Sequence, residues 1–120
     1  MRLGKRDMRW KEPYDQSFVL VRCIKAGDCS PKKIEEHWHR TFNCVAKYLG
    51  FNKPTRKVLW NELVYGNWER LHPTEDESKL APEAWLEKLH YEVAYCSDRW
   101  SLDRLTRCHW LYRQYMRSMD

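Results

Sequence analysis

The stretch SPKKIEEHWHRTFNCVAKYLG, from Ser30 to Gly50, decides the fold class of this chain. Ser30 is a residue type that caps helix N-termini, Pro31 suits the first helical position, and Gly50 stands where helices commonly end. At about 100° per residue, the segment has one apolar face. That face carries Ile34, Trp38, Thr41, Phe42, Val45, Tyr48 and Leu49. The segment is therefore predicted to be an amphipathic helix with one buried side.

The same helical spacing extends to both sides of this segment. The short apolar run Phe18–Ile24 is interpreted as a helix, because Gly27 offers a C-cap and no strand of comparable strength could pair with it. Residues 58–71 continue a helical spacing that Gly66 interrupts, and a further helix starts at Pro82. Ser97 or Ser101 offers a cap for a last helix that runs to the C-terminus. The pattern predicts an all-α fold, a compact bundle of four to five short helices.

The length of 120 residues allows one domain with a short tail. Residues 1–16 interleave charges with few apolar side chains and include Pro13, which predicts a basic flexible arm. Residues 17–120 are predicted to form a single helical domain. Within it, the polar and acidic stretch His72–Ala81 is predicted to be a surface loop.

The amino-acid composition indicates which kinds of partner and which cellular compartment suit the chain. Lys and Arg number 22 against 17 Asp and Glu, a net charge of +5, which suits an acidic partner. No stretch approaches the roughly 20 apolar residues of a membrane span, and the first residues lack the apolar core of a signal peptide, so a soluble protein is expected. Five cysteines, an odd number, then predict reduced thiols in the cytosol or nucleus rather than a disulfide framework.

The motifs of catalysis are absent from the sequence. With only 4 Gly there is no phosphate-cradling loop, and neither Gly-x-Ser-x-Gly nor His-Glu-x-x-His occurs. Cys–His pairs arise by chance in a chain with five of each residue. The expectation is a protein that is not an enzyme, with no cofactor and no small-molecule substrate.

The cysteines and histidines invite a zinc interpretation, but they lack the two close ligand pairs that structural zinc usually shows. The alternative, buried thiols and boundary imidazoles that fill gaps in the core, accounts for them better. If a site formed between helices, its ligands would be Cys96, Cys108 and His109. Cys108 and His109 are adjacent and point about 100° apart, so the chain is expected to fold without zinc.

Basic residues give the one candidate binding surface. Lys33, Arg40 and Lys47 form a stripe opposite the apolar face of the Ser30–Gly50 helix. The following connection and helix start add Lys53, Arg56 and Lys57. Together these six residues could follow a phosphate backbone, and the alternative is an ordinary solvated helix face.

The order of several segments resembles the small nuclear nonstructural phosphoproteins of bocaparvovirus-type parvoviruses. The similar segments are Phe18–Gly27, the helix opening Lys33–Glu36, the stretch Val58–Leu63, and a Ser-Asp pair at Ser97. The closing block Arg107–Arg113, RCHWLYR, is similar to the Arg-Cys-x-x-Trp-x-x-x-Tyr-Arg ending of that family, with different internal spacing.

This resemblance implies a non-enzymatic viral accessory protein. Such a protein would bind host factors in the host nucleus or cytoplasm and support viral replication and RNA processing. Two departures are evident: a short arm replaces the long Arg/Ser-rich N-terminal region, and Leu105 replaces the first member of the family's Cys-x-x-Cys. A composition rich in Trp, Tyr and Arg agrees with a host protein partner. The alternatives are a basic nucleic-acid-binding helical domain and a small inhibitor that covers a host or bacterial enzyme.

Overall fold

Five helices follow one another along the chain in a computed structural model, which describes residues 3–66 and 80–119 and the side chains of 11–62 and 80–119. The helices are α1 (Leu3–Ala26), α2 (Pro31–Tyr48), α3 (Lys53–Gly66), α4 (Pro82–Cys96) and α5 (Leu102–Ser118). The prediction of an all-α bundle of four to five helices is confirmed. None of the helices in these ranges is long and apolar enough to cross a membrane.

The helix ends are set by the residues that signal them in the sequence. The Ser30 hydroxyl accepts a hydrogen bond from the Lys33 amide at 3.3 Å, and the Ser101 hydroxyl caps α5 through the Arg104 amide at the same distance. Gly27 and Gly50 have φ values of 76° and 100°, in the left-handed region that favours glycine at a helix end. These caps hold the connections α1–α2 and α2–α3 to a few residues each.

The core lies where α1 packs against α2 and α4, and α5 packs against α2 and α4. Its fully buried side chains come from four helices: Leu20 of α1, Ile34, Trp38, Phe42 and Val45 of α2, Leu89 and Val93 of α4, and Leu105, Trp110 and Leu111 of α5. α3 lies against α2 and α5 and attaches through the half-buried Leu59 and Trp60. The predicted apolar face of α2 is therefore buried as far as Val45, and its last two residues, Tyr48 and Leu49, are half-buried. Lys33, Arg40 and Lys47 are exposed.

Buried indole N–H groups fix two of the contacts between helices. Trp100 Nε1 donates to the Ser17 hydroxyl at 3.2 Å, and that hydroxyl donates to the Pro13 carbonyl at 2.7 Å. Trp38 Nε1 donates to Nδ1 of His109 at 3.0 Å. An indole buried without an acceptor would lose its hydrogen bonds to water, so each of these pairs favours one packing arrangement.

The predicted domain boundary after residue 16 stays a prediction, although no helix end falls there. α1 begins at Leu3 and continues through Pro13, so residues 3–16 are helical. Proline normally interrupts a helix because it lacks an N–H. Here the buried Pro13 is accommodated, and the Ser17 hydroxyl donates to its carbonyl.

The expectation of reduced thiols throughout is also wrong, because Cys23 and Cys29 form a disulfide. Their Cα atoms are 5.6 Å apart, within the usual range of bridged pairs. The turn at Gly27 brings Cys29 back towards the last turn of α1. Cellular compartment and the number of cysteines are the basis of that expectation, and neither indicates which cysteines lie close enough to pair.

Some sequence predictions fail in detail or fall outside the described ranges. Val58 and Leu102 follow the helical apolar spacing, yet both are exposed. Most of the predicted acidic loop His72–Ala81 lies outside the described residues, as do the last positions of the 58–71 pattern.

The Phe42→Ala substitution tests the assignment of the core. It should lower the free energy of unfolding by about 3 to 5 kcal/mol, because it removes a fully buried ring from the centre of α2. The matched control is Val58→Ala, which should change that free energy by less than about 0.5 kcal/mol, because Val58 is 57% exposed. Urea titration measures both, and equal losses would contradict this description of the core.

Candidate nucleic-acid interface

An imidazole held between two tryptophans positions the surface where α2 and α3 meet. His109 Nδ1 accepts from Trp38 Nε1 at 3.0 Å, so in the neutral ring Nε2 carries the proton and donates to the Trp60 carbonyl at 2.8 Å. The rings of His109 and Trp60 lie 4.6 Å apart, centroid to centroid. These contacts tie α3 to α2 and α5.

Burial lowers the pKa of His109 to about 4, although its hydrogen bond to the Trp60 carbonyl favours the protonated form. The nearby Arg113 guanidinium lowers it further. A proton on Nδ1 would turn the acceptor of the Trp38 N–H into a second donor. The neutral tautomer is therefore the one that the fold requires.

A groove between α2 and α3, the α2–α3 groove, opens beside this cluster with a volume of about 370 Å³. It is lined by His39, Phe42, Asn43, Lys53, Arg56, Lys57, Trp60 and Asn61. The ring of Trp60 meets Phe42 at 5.1 Å and His39 at 5.0 Å, both edge-on. The groove thus combines aromatic walls with three cationic side chains.

The cationic side of the groove comes from the first turns of α3. Lys53 and Lys57 are exposed and one turn apart, whereas Arg56 is half-buried. The Arg56 Nη1 donates to the Phe51 carbonyl at 2.8 Å, which holds the guanidinium in place. Its Nε is buried without a hydrogen-bond partner among the described residues. A guanidinium that is fixed in this way suits an anionic group.

The six basic residues singled out in the sequence do not form one surface. Lys53, Arg56 and Lys57 line the α2–α3 groove, and Arg40 lines a neighbouring cavity of about 390 Å³. Glu35 and Glu36 line that second cavity too, so its charge is mixed. Lys33 and Lys47 line neither cavity. The structure thus brings together the three residues that follow the Ser30–Gly50 helix.

Sequence reasoning missed the aromatic part of the groove, Trp60 and His39. Trp60 belongs to the helical spacing of residues 58–71, and apolar residues at such a spacing are typical of a buried face. The available signal was its position: Trp60 is three residues from Lys57 and four from Arg56, so it shares a helix face with the basic residues.

The three candidate zinc ligands Cys96, Cys108 and His109 do not converge. Both nitrogens of His109 are hydrogen-bonded to tryptophans. The thiols of Cys96 and Cys108 hydrogen-bond each other in the core, and burial raises the pKa of Cys108 well above its ordinary value. The structure instead groups Cys23, Cys29 and His37, which the sequence spacing did not indicate.

Comparison with known proteins brings no match: no family model, no curated protein and no solved structure matches the chain. The resemblance to the parvoviral phosphoproteins remains a prediction.

The lowered pKa of His109 predicts how stability depends on pH. In the unfolded chain the His109 imidazole has a pKa near 6.5 and binds a proton below that pH. In the folded chain it stays neutral down to about pH 4. Stability is therefore full above pH 6.5 and declines as the pH falls. The loss from this group between about pH 7.5 and about pH 5 should be on the order of 2 kcal/mol.

Urea titrations at several pH values measure this loss. His109→Gln removes the titrating group, and its stability should depend less on pH than that of the native chain. His39→Gln, at an exposed position on α2, is the matched control and should retain the native dependence. A pH dependence that His109→Gln leaves unchanged would rule out His109 as its origin.

Proposed function

We propose that the chain is a non-enzymatic binding domain whose α2–α3 groove holds a single-stranded nucleic acid. The observation that carries this proposal is the convergence of Lys53, Arg56 and Lys57 with the Trp60 ring in one cavity of about 370 Å³. Proteins that bind single strands combine a positive groove for the backbone with rings on which bases stack.

The charges of the groove fit phosphates better than carboxylates of a small metabolite. Lys53 and Lys57 lie about 6 Å apart along the axis of α3, so they can meet different phosphates of one strand. Arg56 is fixed by the Phe51 carbonyl, and its planar guanidinium can form paired hydrogen bonds with a phosphate. Three cations in one row favour an extended anion over a single anionic group.

The aromatic walls favour an unpaired base. Stacking on Trp60 or His39 needs an accessible base face, which a duplex offers only at its ends. The volume of the groove lies within the range of about 300 to 1,000 Å³ typical of ligand pockets. The Asn43 and Asn61 amides at its rim add donors and acceptors for base edges.

Two of the three free thiols have raised pKa values, and the third, Cys96, whose pKa is lowered by its hydrogen bond with Cys108, is completely buried. The thiols therefore support a protein without catalytic activity. Burial and the neighbouring Glu12 carboxylate raise the pKa of Cys44 to about 12, and burial raises that of Cys108. A nucleophilic cysteine needs a lowered pKa. An RNA strand in the groove would also agree with the role that the parvoviral resemblance implies, a viral accessory protein that supports replication and RNA processing in the host nucleus or cytoplasm.

The double substitution Lys53→Glu/Lys57→Glu tests the groove. It should weaken binding of a labelled single-stranded RNA by at least about tenfold, because each charged hydrogen bond contributes about 1.5 to 3 kcal/mol. The slope of log K against log salt should shrink by about 1.4, since two phosphate contacts are lost. Fluorescence anisotropy across a salt series measures both.

The matched control is Lys25→Glu/Lys32→Glu, which changes net charge equally at two exposed lysines outside the groove. This control should keep most of the affinity. Equal losses in the two double variants would show that only net charge matters and would refute the groove.

A second candidate function, contact with a host protein, is favoured by the outer face of α4. Tyr91 and Tyr95 are exposed by 64% and 54%, one turn apart. The guanidinium groups of Arg99 and Arg104 lie 4.9 and 4.8 Å from the centre of the Tyr95 ring. Tyrosine and arginine dominate the energetic centres of protein interfaces. An inhibitor that covers a host or bacterial enzyme would use the same kind of surface.

A pull-down from nuclear extract, with and without nuclease, separates the two functions. A protein partner of the α4 face should survive nuclease and be lost with Tyr91→Ser/Tyr95→Ser. Tyr14→Ser, at an exposed tyrosine of α1, should retain it. If every captured protein disappears after nuclease treatment, the α4 face is not a docking surface and only the groove remains.

A further inference from the structure

Three side chains with metal-binding atoms meet where α1 turns into α2. The sulfurs of Cys23 and Cys29 and a ring nitrogen of His37 all lie within 4.8 Å of one another. In a tetrahedral zinc site, with bonds of about 2.3 Å to sulfur and about 2.0 Å to nitrogen, the ligand atoms are roughly 3.5 to 4 Å apart. The imidazole nitrogen thus lies near the distance from the sulfurs that one ion requires, whereas the two sulfurs, which are bonded to each other here, have to move apart to bind it.

The local chain path accounts for this convergence. Cys23 is in the last turn of α1, and the left-handed Gly27 reverses the chain so that Cys29 faces it. The Ser30 cap then starts α2, and His37 follows on its second turn. Each ligand is therefore positioned by a helix or by its cap, not by a long loop.

We propose that Cys23, Cys29 and His37 form a zinc site when the disulfide between the two cysteines is reduced. A dithiol reductant supplies two electrons and two protons, so the disulfide becomes two thiols and the reductant becomes a disulfide. Zinc then binds two thiolates and the neutral imidazole, and the two thiol protons leave to solvent. Disulfide and zinc exclude each other, because both use the same two sulfurs.

The donor set selects zinc over harder cations. Thiolate and imidazole ligands suit zinc, whereas magnesium and calcium need oxygen ligands, and the cluster contains no carboxylate. Two thiolates balance the two charges of the ion. That balance matters here because two cations, Arg40 and Lys33, act on His37 against one carboxylate, Glu36, so an ion with neutral ligands alone would meet a net positive charge.

A second observation concerns the His37 ring. Its Nδ1 is buried and has no hydrogen-bond partner among the described residues. A buried polar atom without a partner costs free energy, and a metal ion bound to this nitrogen would remove that cost. All three side chains are only half-buried, so water has access to the fourth position of the ion.

The test uses the full chain, reduced with dithiothreitol, stripped with EDTA and desalted under argon. Zinc is then added, and the bound metal is counted by elemental analysis. We expect one zinc per reduced chain and none per chain with the disulfide intact. Cobalt in place of zinc should give the thiolate charge-transfer absorption of a tetrahedral site.

Substitutions at the ligands decide whether this is the site. Cys23→Ser and Cys29→Ser should abolish binding, and His37→Gln should weaken it by at least about tenfold. The matched controls are Cys44→Ser and His39→Gln, a cysteine and a histidine of α2 outside the cluster, and both should bind as the native chain does. Far-UV circular dichroism confirms that each variant is helical.

Two results would overturn the proposal. The first is a reduced native chain that binds no zinc. The second is binding that persists in the Cys23→Ser and Cys29→Ser variants, which would place the ion elsewhere in the protein.

Discussion

The neutral imidazole of His109 is the constraint on which the rest of the structure depends. It accepts from the Trp38 indole and donates to the Trp60 carbonyl, so α2, α3 and α5 meet at one ring. Both nitrogens are used, and each in one role only, which fixes the tautomer and the orientation of the ring. A tryptophan–histidine–tryptophan chain of this kind restricts packing more than apolar contacts do, because a small rotation of any member leaves a buried polar atom without a partner.

The position of α3 shows how far this constraint extends. Among the residues of α3 whose side chains the structure describes, none is fully buried, and Trp60 provides the main contact with the core. Its ring lies against His109 on one side and lines the α2–α3 groove on the other. The three basic residues of the groove are therefore only as well placed as Trp60 is. Trp60 belongs both to the groove and to the packing around His109, so a loss of the His109 contacts should disturb both.

The sequence predicted most of the fold because the helix signals are local. Ser30, Gly50 and Ser101 mark helix ends through bonds made within a few residues, and the buried face of α2 follows from its 3.6-residue period. The features that could not be predicted depend on contacts between residues far apart in the sequence, or on packing that overrides a local preference. The continuation of α1 through Pro13 contradicts a local preference. The groove combines Trp60 and His39 from different helices, so only its basic residues could be predicted from the sequence. The Cys23–Cys29 pairing depends on how the turn at Gly27 directs the chain.

The tripeptide His37-Trp38-His39 shows why these features are linked. Successive side chains of a helix point about 100° apart, so three neighbours face three directions. His37 faces the cysteines at the end of α1, Trp38 enters the core to meet His109, and His39 lines the groove beside Trp60. Rotation of α2 by one position would break all three contacts at once. The orientation of α2 is thus overdetermined, and the hydrogen bond of Trp38 in the middle fixes the direction of the two histidines on either side, one towards the cysteine cluster and one towards the groove.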